Sequence, residues 1–243
     1  MSHRPIVFLG ALVAAAVVAA PALASHAWGN YHWARTANPF TVPLGDNMSS
    51  DWDDNLAVAS GDWTQSSVLD APVVAGSSKG RQCKASNGTV QVCNARYGFN
   101  GWLGLAQIWT SGSHIVKAAA KMNDSYLGSG SYSETNRQHV ICQEIGHGFG
   151  LHHQDESGAD LNTCMDYSNA LDNPHPNAHD YQQLETIYNS HLDSTSTVGF
   201  TAGESGRVVH RRDTIATSYI VEDLGDGFLL HSFVSWAISR PGR

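Results

Sequence analysis

The segment from Gln143 to His153, with the sequence QEIGHGFGLHH, constrains the fold of this chain more than any other. Gln143 and His147 are four residues apart, so on a helix their side chains share one face, about 6 Å apart along the axis. Glu144 is rotated by about 100° from Gln143 and reaches a different point of the same cleft. Gly150 has no Cβ and can take a left-handed conformation, which would end the helix and turn His153 back toward His147.

These residue types suit a metal site with a base beside it. Gln143, His147 and His153 would supply three protein ligands, which leaves the fourth position of a catalytic zinc open for water. Zinc lowers the pKa of that water and polarises a carbonyl, and Glu144 could act as the base that takes its proton. An amide oxygen is a harder and poorer donor for zinc than imidazole. Gln143 therefore predicts weaker zinc binding, another divalent ion, or no ion.

The same string resembles the HExxHxxGxxH motif of the metzincin metalloproteases, with glutamine in place of the first histidine. Downstream, Cys164-Met165-Asp166-Tyr167 resembles the methionine-containing turn (the Met-turn) that lies beneath the metal in that clan. More narrowly, the chain is similar to small secreted bacterial matrixin-like proteins with a Cys-Gln-Glu-x-Gly-His-x-x-Gly-Leu-x-His core. The resemblance covers roughly residues 31–191. It implies an α/β fold with a twisted mixed sheet, an active-site helix, a Met-turn and a C-terminal helix.

The resemblance also implies a function, a secreted zinc metalloendopeptidase that acts on a protein or peptide substrate. The implied site residues are Gln143, His147 and His153 for the metal, and Glu144 and Tyr167 for catalysis. Tyr167 would ligate zinc or donate a hydrogen bond to the tetrahedral intermediate, and the alternative is a buried aromatic residue. The alternative function is a catalytically inactive secreted binding protein on the same fold. The sequence does not indicate whether structural calcium is present.

Other residues near this string are weaker candidates for the metal. His139 lies about 12 Å along the helix axis from His147, so one ion could not easily take both. His152 could replace His153, although the spacing favours His153. Asp155 could coordinate the ion, or orient a histidine or a loop. Three further histidines are predicted to be surface or capping residues: His175, His179 and His191.

Residues 1–24 have the features of a secretory signal peptide. Arg4 precedes an apolar run over 6–20, and Ala22-Leu23-Ala24 forms an A-x-A cleavage site. The run is shorter than the roughly 20 residues of a transmembrane helix, and an uncleaved anchor is the alternative. We therefore expect a secreted, extracellular, monomeric protein that leaves the membrane once the signal is cleaved. The formal charge of −8 and the lack of a basic patch argue against a nucleic-acid partner.

The remainder divides into a metzincin-like catalytic domain, 25–193, and a C-terminal extension, 194–243. The extension begins with a linker rich in Ser, Thr and Gly. Residues 207–220 and 228–236 then alternate like strands around Gly225-Asp226-Gly227, which predicts a β-hairpin. Because an isolated hairpin is marginally stable, it should pack on the main domain or form an irregular tail. The sequence predicts no function for it.

The four cysteines of the chain predict two disulfides, since an even number in an oxidising compartment normally pairs. Three pairings are possible. We favour Cys83 with Cys93, which closes a short loop, and Cys142 with Cys164. The second bond would tie the active-site helix to the Met-turn.

Helices are predicted at about 50–63, 133–150 and 180–191. Ser50 with Asp53 resembles a capping box for the first helix, and residues 131–133 can cap the second. Strands are predicted over 68–74, 89–92, 105–109 and 114–122. In metzincins an edge strand before the active-site helix pairs with the extended substrate, and Leu105–Trp109 has that position. The alternative is an ordinary strand inside the sheet.

Overall fold

A computed structural model describes residues 26–154, 158–166, 171–214 and 216–237. The predicted signal peptide, Asp155 and Tyr167 lie outside these ranges. Within them, no helix has both the length and the apolar character needed to cross a bilayer.

The described chain has a mixed α/β fold, which confirms the predicted fold class. Its helices are α1 Asp53–Trp63, α2 Asp124–Leu127, α3 Glu134–Gly148 and α4 Ala178–Tyr188. Its strands are β1 His32–Trp33, β2 Phe40–Thr41, β3 Leu44–Asn47, β4 Leu69–Asp70, β5 Val73–Ala75, β6 Ser86–Asn87, β7 Val90–Ala95, β8 Trp102–Ser111, β9 His114–Asn123, β10 Arg207–Asp213, β11 Thr217–Gly225 and β12 Phe228–Trp236.

Ten of these strands form one sheet, and α3 packs against its centre. The strand order is β10-β11-β12-β8-β9-β7-β3-β5, with β1 and β6 also paired to β9. The strands from β10 to β9 pair antiparallel, whereas β9, β7, β3 and β5 pair parallel. Helix α3 contacts β8, β9 and α1. The predicted active-site helix is therefore held between the sheet and the first helix.

Helix α1 forms where its apolar stripe predicts it, but it begins differently. Leu56, Ala59 and Trp63 recur at helical spacing and are buried, so one face of α1 packs into the core. The predicted capping box of Ser50 with Asp53 is wrong. Ser50–Trp52 forms a 3-10 turn, and neither this turn nor α1 has a side-chain cap. Because this turn separates Ser50 from Asp53, the first residue of α1, Ser50 is not at the position that would cap the helix.

The other predicted elements differ from the structure mainly at their ends. The predicted strand over 68–74 is two short strands, β4 and β5. The last helix begins earlier than predicted, because Asn177 caps α4 in a capping box with Asp180. Both favoured disulfides are present, Cys83–Cys93 and Cys142–Cys164.

The C-terminal extension continues the main sheet. Strands β11 and β12 form the predicted hairpin. One strand was predicted over 207–220, whereas the structure has two strands there, β10 and the start of β11. Strand β12 pairs antiparallel with β8, with Val234 opposite Leu105 and Leu230 opposite Trp109. Of the two predictions for Leu105–Trp109, the strand inside the sheet matches this structure, because β12 takes up the edge that β8 would otherwise expose.

Candidate metal and catalytic site

Local signals at both ends position α3. At its start, the Ser133 hydroxyl accepts from the backbone N–H of Asn136, and the Asn136 side chain accepts from the N–H of Ser133. At its end, Gly150 has a φ of +92°. A Cβ at Gly150 would also lie 2.7 Å from the carbonyl oxygen of Tyr31. The chain therefore turns back at glycine and brings His153 toward the helix, as the sequence predicts.

His147 and His153 lie side by side in the protein interior. Their ring centroids are 4.7 Å apart with an angle of 86° between planes, and both side chains are buried. The Nδ1 of His147 donates to the carbonyl oxygen of Leu151 at 2.8 Å, so its Nε2 carries the free lone pair. No hydrogen-bond partner for that Nε2 exists among the described residues. This geometry suits an imidazole ligand.

Burial keeps both imidazoles neutral. Desolvation lowers the pKa of His147 to about 3, against a smaller opposing effect of the Leu151 carbonyl. Desolvation, together with the neighbouring His147, also lowers the pKa of His153 well below its ordinary value. A metal binds the neutral form of imidazole, so no proton has to be displaced at neutral pH.

The side chain of Gln143 is engaged by three protein groups. Its Nε2 donates to the carbonyl oxygens of Cys164 at 2.9 Å and Asp166 at 3.2 Å. Its Oε1 accepts from the Ser235 hydroxyl at 2.8 Å. The amide thus links α3 to the Met-turn on one side and to β12 on the other. The oxygen that would face a metal is occupied by Ser235.

Glu144 is fully buried beside β8 and shares its partner with Gln143. Its Oε1 accepts from the Ser235 hydroxyl at 2.7 Å, while Oε2 has no partner among the described residues. Burial raises the pKa of Glu144 to about 8, against smaller effects of Ser235 and the Ala106 backbone. A serine hydroxyl has one proton, so it can satisfy only one of its two acceptors at a time. A proton on Glu144 satisfies the other contact.

Two glycines allow close packing around these residues, Gly104 in β8 and Gly146 in α3. A Cβ at Gly104 of β8 would overlap the Glu144 carboxylate. A Cβ at Gly146 would lie 2.5 Å from the sulfur of Met165 and 2.7 Å from the ring of Trp63. Met165 is itself fully buried, so the predicted Met-turn packs directly beneath α3. The Cys142–Cys164 disulfide joins the same two segments.

Strand β12 covers the site. The Phe233 ring stacks on His147, with centroids 4.4 Å apart and 18° between planes. Ser235, two residues on, contacts both Gln143 and Glu144. Phe233 and Ser235 are not among the predicted site residues, because no local pattern in the extension indicates that it reaches α3.

The weaker metal candidates have other surroundings. His139 is fully buried, and its Nδ1 donates to the carbonyl of Asn173 at 2.8 Å. His152 is half-buried and donates its backbone N–H to the carbonyl of His26. Of the predicted surface histidines, His175 and His191 are exposed, with side-chain exposures of 57% and 47%, and His179 is half-buried.

Two groups of histidine and aspartate side chains occur elsewhere among the described residues. Each group brings three possible ligand atoms within 4.8 Å of one another: His26, His179 and Asp180 in one, and His32, His114 and Asp193 in the other. His191 contacts Asp193 in the second group. The prediction of His179 and His191 as surface or capping residues is thus incomplete, because distant segments bring partners to them.

Comparison with known proteins gives fold-level likenesses. No family model matches the sequence, and no curated protein matches it. Myroilysin is 13% identical with a TM-score of 0.39, over 68% of this chain and 99% of its own. Archaemetzincin from Archaeoglobus fulgidus, complexed with malonate, is 14% identical with a TM-score of 0.36, over 59% and 99%. A hatching-enzyme zinc-protease from Oryzias latipes (medaka fish) is 13% identical with a TM-score of 0.33, over 68% and 98%. All three TM-scores are below 0.5.

Proposed function

We propose that this chain is a secreted zinc metalloendopeptidase of the metzincin clan, in a matrixin-like subgroup with glutamine as the first ligand. It hydrolyses peptide bonds of a protein or peptide substrate, and residues 25–193 form its catalytic domain. The observation that supports this most directly is the pair of buried, neutral imidazoles, His147 and His153, next to Glu144 at the end of α3.

His147 and His153 would hold the metal, with Gln143 as third ligand. The free Nε2 of His147 fits this role without rearrangement. Gln143 fits once Ser235 releases its Oε1, because its Nε2 stays anchored to the carbonyls of the Met-turn. A bound divalent ion supplies a Lewis acid that lowers the pKa of water and polarises a carbonyl.

Glu144 is the general base of this mechanism. In its deprotonated form it would take a proton from the attacking water and return it to the leaving amine, through an Oε2 that has no hydrogen-bond partner among the described residues. Gly104 leaves the space in which that carboxylate lies against β8. We propose that Tyr167 stabilises negative charge on the substrate oxygen.

Replacing Glu144 tests the mechanism. In the full mature chain, Glu144→Gln should lower hydrolysis of a quenched fluorescent peptide library by about 10²-fold or more while metal content stays unchanged. Glu134→Gln, at the exposed start of the same helix, is the matched control and should retain wild-type activity. Equal activity of Glu144→Gln and wild type would contradict the mechanism.

The alternative function is a catalytically inactive secreted binding protein. The engaged amide of Gln143 favours it, because all three of its hydrogen bonds are made within the protein. Elemental mass spectrometry gives the zinc content of wild type and of His147→Ala, and the difference between them is the zinc held at this site. A difference of about one zinc per chain supports the peptidase. No difference, with one zinc appearing only in a Gln143→His background, supports the inactive protein.

A further inference from the structure

We propose a second metal site, remote from α3, in which His32, His114, His191 and Asp193 bind one divalent ion of the zinc class. Three separate segments meet there. His32 comes from β1, His114 begins β9, and His191 with Asp193 follows α4.

Four separations between these donor atoms are close to the spacing of a tetrahedral site. Asp193 Oδ1 lies 3.1 Å from the Nε2 of His114 and 3.5 Å from that of His191. His32 Nε2 lies 3.6 Å from the same oxygen and 3.2 Å from the Nε2 of His191. Ligands at 2.0–2.1 Å from a tetrahedral zinc are roughly 3.3 Å apart from one another. These four separations are close to that value. His191 lies outside the group of three whose candidate atoms are within 4.8 Å of one another, so its ring has to move toward His114 to complete a four-ligand set.

Surrounding groups orient these donors. The Nδ1 of His32 donates to the carbonyl of Asn30 at 2.6 Å, which leaves its Nε2 as the lone-pair nitrogen. The Nδ1 of His191 lies 3.0 Å from the Ser190 hydroxyl. Outer contacts of this kind fix ring orientation in protein zinc sites.

The aspartate is held in the same way. The guanidinium and the backbone N–H of Arg35 donate to Asp193 Oδ2 at 3.0 and 3.1 Å, so Oδ1 is the oxygen left for the histidines.

The His32 ring meets the rings of His114 and His191 edge-on, at 71° and 86°, and does not stack on them.

The site is partly shielded and has an entry path. His32 is buried, and the side chain of Asp193 is 12% exposed. A cavity of about 420 Å³ opens onto His32 and His191. A bound ion would join β1, the β8–β9 turn and the segment that leads into the C-terminal extension.

The test uses zinc and cobalt on the full mature chain. Wild type should hold one more equivalent of zinc than His114→Ala, and the visible absorption of tetrahedral Co²⁺ should be weaker in His114→Ala than in wild type, because only the α3 site remains. His191→Ala, at a half-exposed residue, should weaken binding at least tenfold without unfolding the chain. Zinc should raise Tm in wild type by several degrees more than in His114→Ala.

His175→Ala is the matched control, since His175 also pairs with a carboxylate, that of Asp62 at 2.7 Å, but has no further histidine beside it among the described residues. It should keep the full zinc content. His147→Ala separates this site from the one on α3 and should keep the cobalt absorption that His114→Ala loses. Equal zinc content and equal Tm shifts in wild type and His114→Ala would overturn the proposal, and the cluster would then be an ion-pair network only.

A second inference concerns β12 and rests on the proposed function. We infer that β12 is an internal inhibitor, which must leave β8 before a substrate can bind. An extended substrate would pair with the backbone of β8, and β12 already makes that pairing from Trp102 to Ser111.

Two side chains of β12 also cover the reactive groups. Phe233 stacks on His147, and Ser235 contacts both Gln143 and Glu144. Departure of β12 would therefore free the Gln143 oxygen for the metal and open Glu144 to solvent in one step. The segment 194–206, which precedes β10, is mostly exposed and contains no helix or strand, so it can tether the three strands β10 to β12 if they leave together.

A reversible crosslink tests this inference. Gln107 and Ser232 lie opposite each other in β8 and β12, and the Gln107 amide donates to the Ser232 hydroxyl at 3.2 Å. The double variant Gln107→Cys/Ser232→Cys should form a disulfide that locks β12 in place. Hydrolysis of the peptide library should be at least tenfold lower in the oxidised form than after mild reduction.

A second crosslink serves as control. Val208→Cys/Glu222→Cys joins β10 to β11 and leaves the β12–β8 pairing unlinked, so its hydrolysis should not depend on redox state. Equal hydrolysis by oxidised and reduced Gln107→Cys/Ser232→Cys would overturn the inhibitor role and leave the peptidase proposal intact. No hydrolysis in any form would overturn the peptidase proposal, and this inference with it.

Discussion

The phenyl ring of Phe233 lies nearly parallel to the imidazole of His147, 4.4 Å from centroid to centroid. Strand β12, the last strand along the chain, thus contributes an aromatic ring that packs against the candidate metal ligand His147. Phe233 is 1% exposed, so its contacts hold β12 onto the rest of the molecule.

Truncating this ring should destabilise the protein strongly. Phe233→Ala should lower the free energy of unfolding by about 3–5 kcal/mol, the range for a fully buried phenylalanine. Urea denaturation measures the change. Phe99→Ala is the control, because Phe99 is 73% exposed and should change stability by less than about 0.5 kcal/mol. Similar losses for the two variants would mean that Phe233 is not packed as described.

Adding one methyl group at Gly104 should disturb the site. The new Cβ would overlap the Glu144 carboxylate, and overpacking of this kind costs about 1–3 kcal/mol. Gly61→Ala is the matched change in α1, where nothing lies within 4 Å of the new Cβ. It should stabilise by about 0.5–1 kcal/mol, since alanine is the better helix former. Opposite signs of the two changes in thermal unfolding would support the placement of Glu144.

The two disulfides should differ in their effect on function. Removing either pair by alanine should lower the free energy of unfolding by about 3 kcal/mol in the chain-entropy model. Only the Cys142/Cys164 double variant should also lose zinc at α3, because Gln143 donates to the Cys164 carbonyl in the turn that this bond holds. Elemental analysis of both double variants, at a temperature where they remain folded, measures the zinc that each retains. Equal zinc loss from the Cys83/Cys93 variant would contradict a specific role of Cys142–Cys164 in the α3 site.

Acidification should loosen β12 through His231. Desolvation lowers the pKa of this buried histidine to about 4 from an ordinary 6.5, so the unfolded chain takes up the proton first. Stability from neutral His231 is complete above pH 6.5 and is lost as the pH falls toward 4, by about 3 kcal/mol. Burial raises the pKa values of the facing Tyr31 and Tyr219, so both stay neutral in this window.

His231→Phe isolates this effect from the other buried histidines. Between pH 7 and pH 4, wild type should lose about 3 kcal/mol more unfolding free energy than the variant. Guanidinium titrations at the two pH values provide the comparison. Parallel losses in both proteins would show that His231 does not govern the acid response.

Local signals explain why much of α3 and its surroundings is predictable. The cap at Ser133 and the left-handed turn at Gly150 each depend on residues within a few positions along the chain. The neighbouring strands β8 and β9 are continuous and mostly buried, which gives a clear pattern. The predicted cap of α1 is absent because a 3-10 turn at Ser50–Trp52 precedes the helix. The start of a 3-10 turn and the start of an α-helix look alike in sequence.

Long-range pairing explains what the sequence does not reveal. Thr110 of β8 and His231 of β12 are neighbours although 121 residues separate them. Nothing near Ser235 in the sequence indicates that its hydroxyl reaches Gln143 and Glu144. The cluster around Asp193 is equally hidden, since His32 and His114 come from distant strands.

The position of β12 also constrains how the protein reaches its native state. Strand β8 lies between β12 and β9, so until β12 arrives it exposes a ten-residue row of unpaired backbone groups. An open edge of that length is a template for pairing with another molecule. Closing a loop of 121 residues to cover it is entropically costly, and such pairings form late. The interval before β12 docks is therefore the time when newly made chains are most prone to associate with one another.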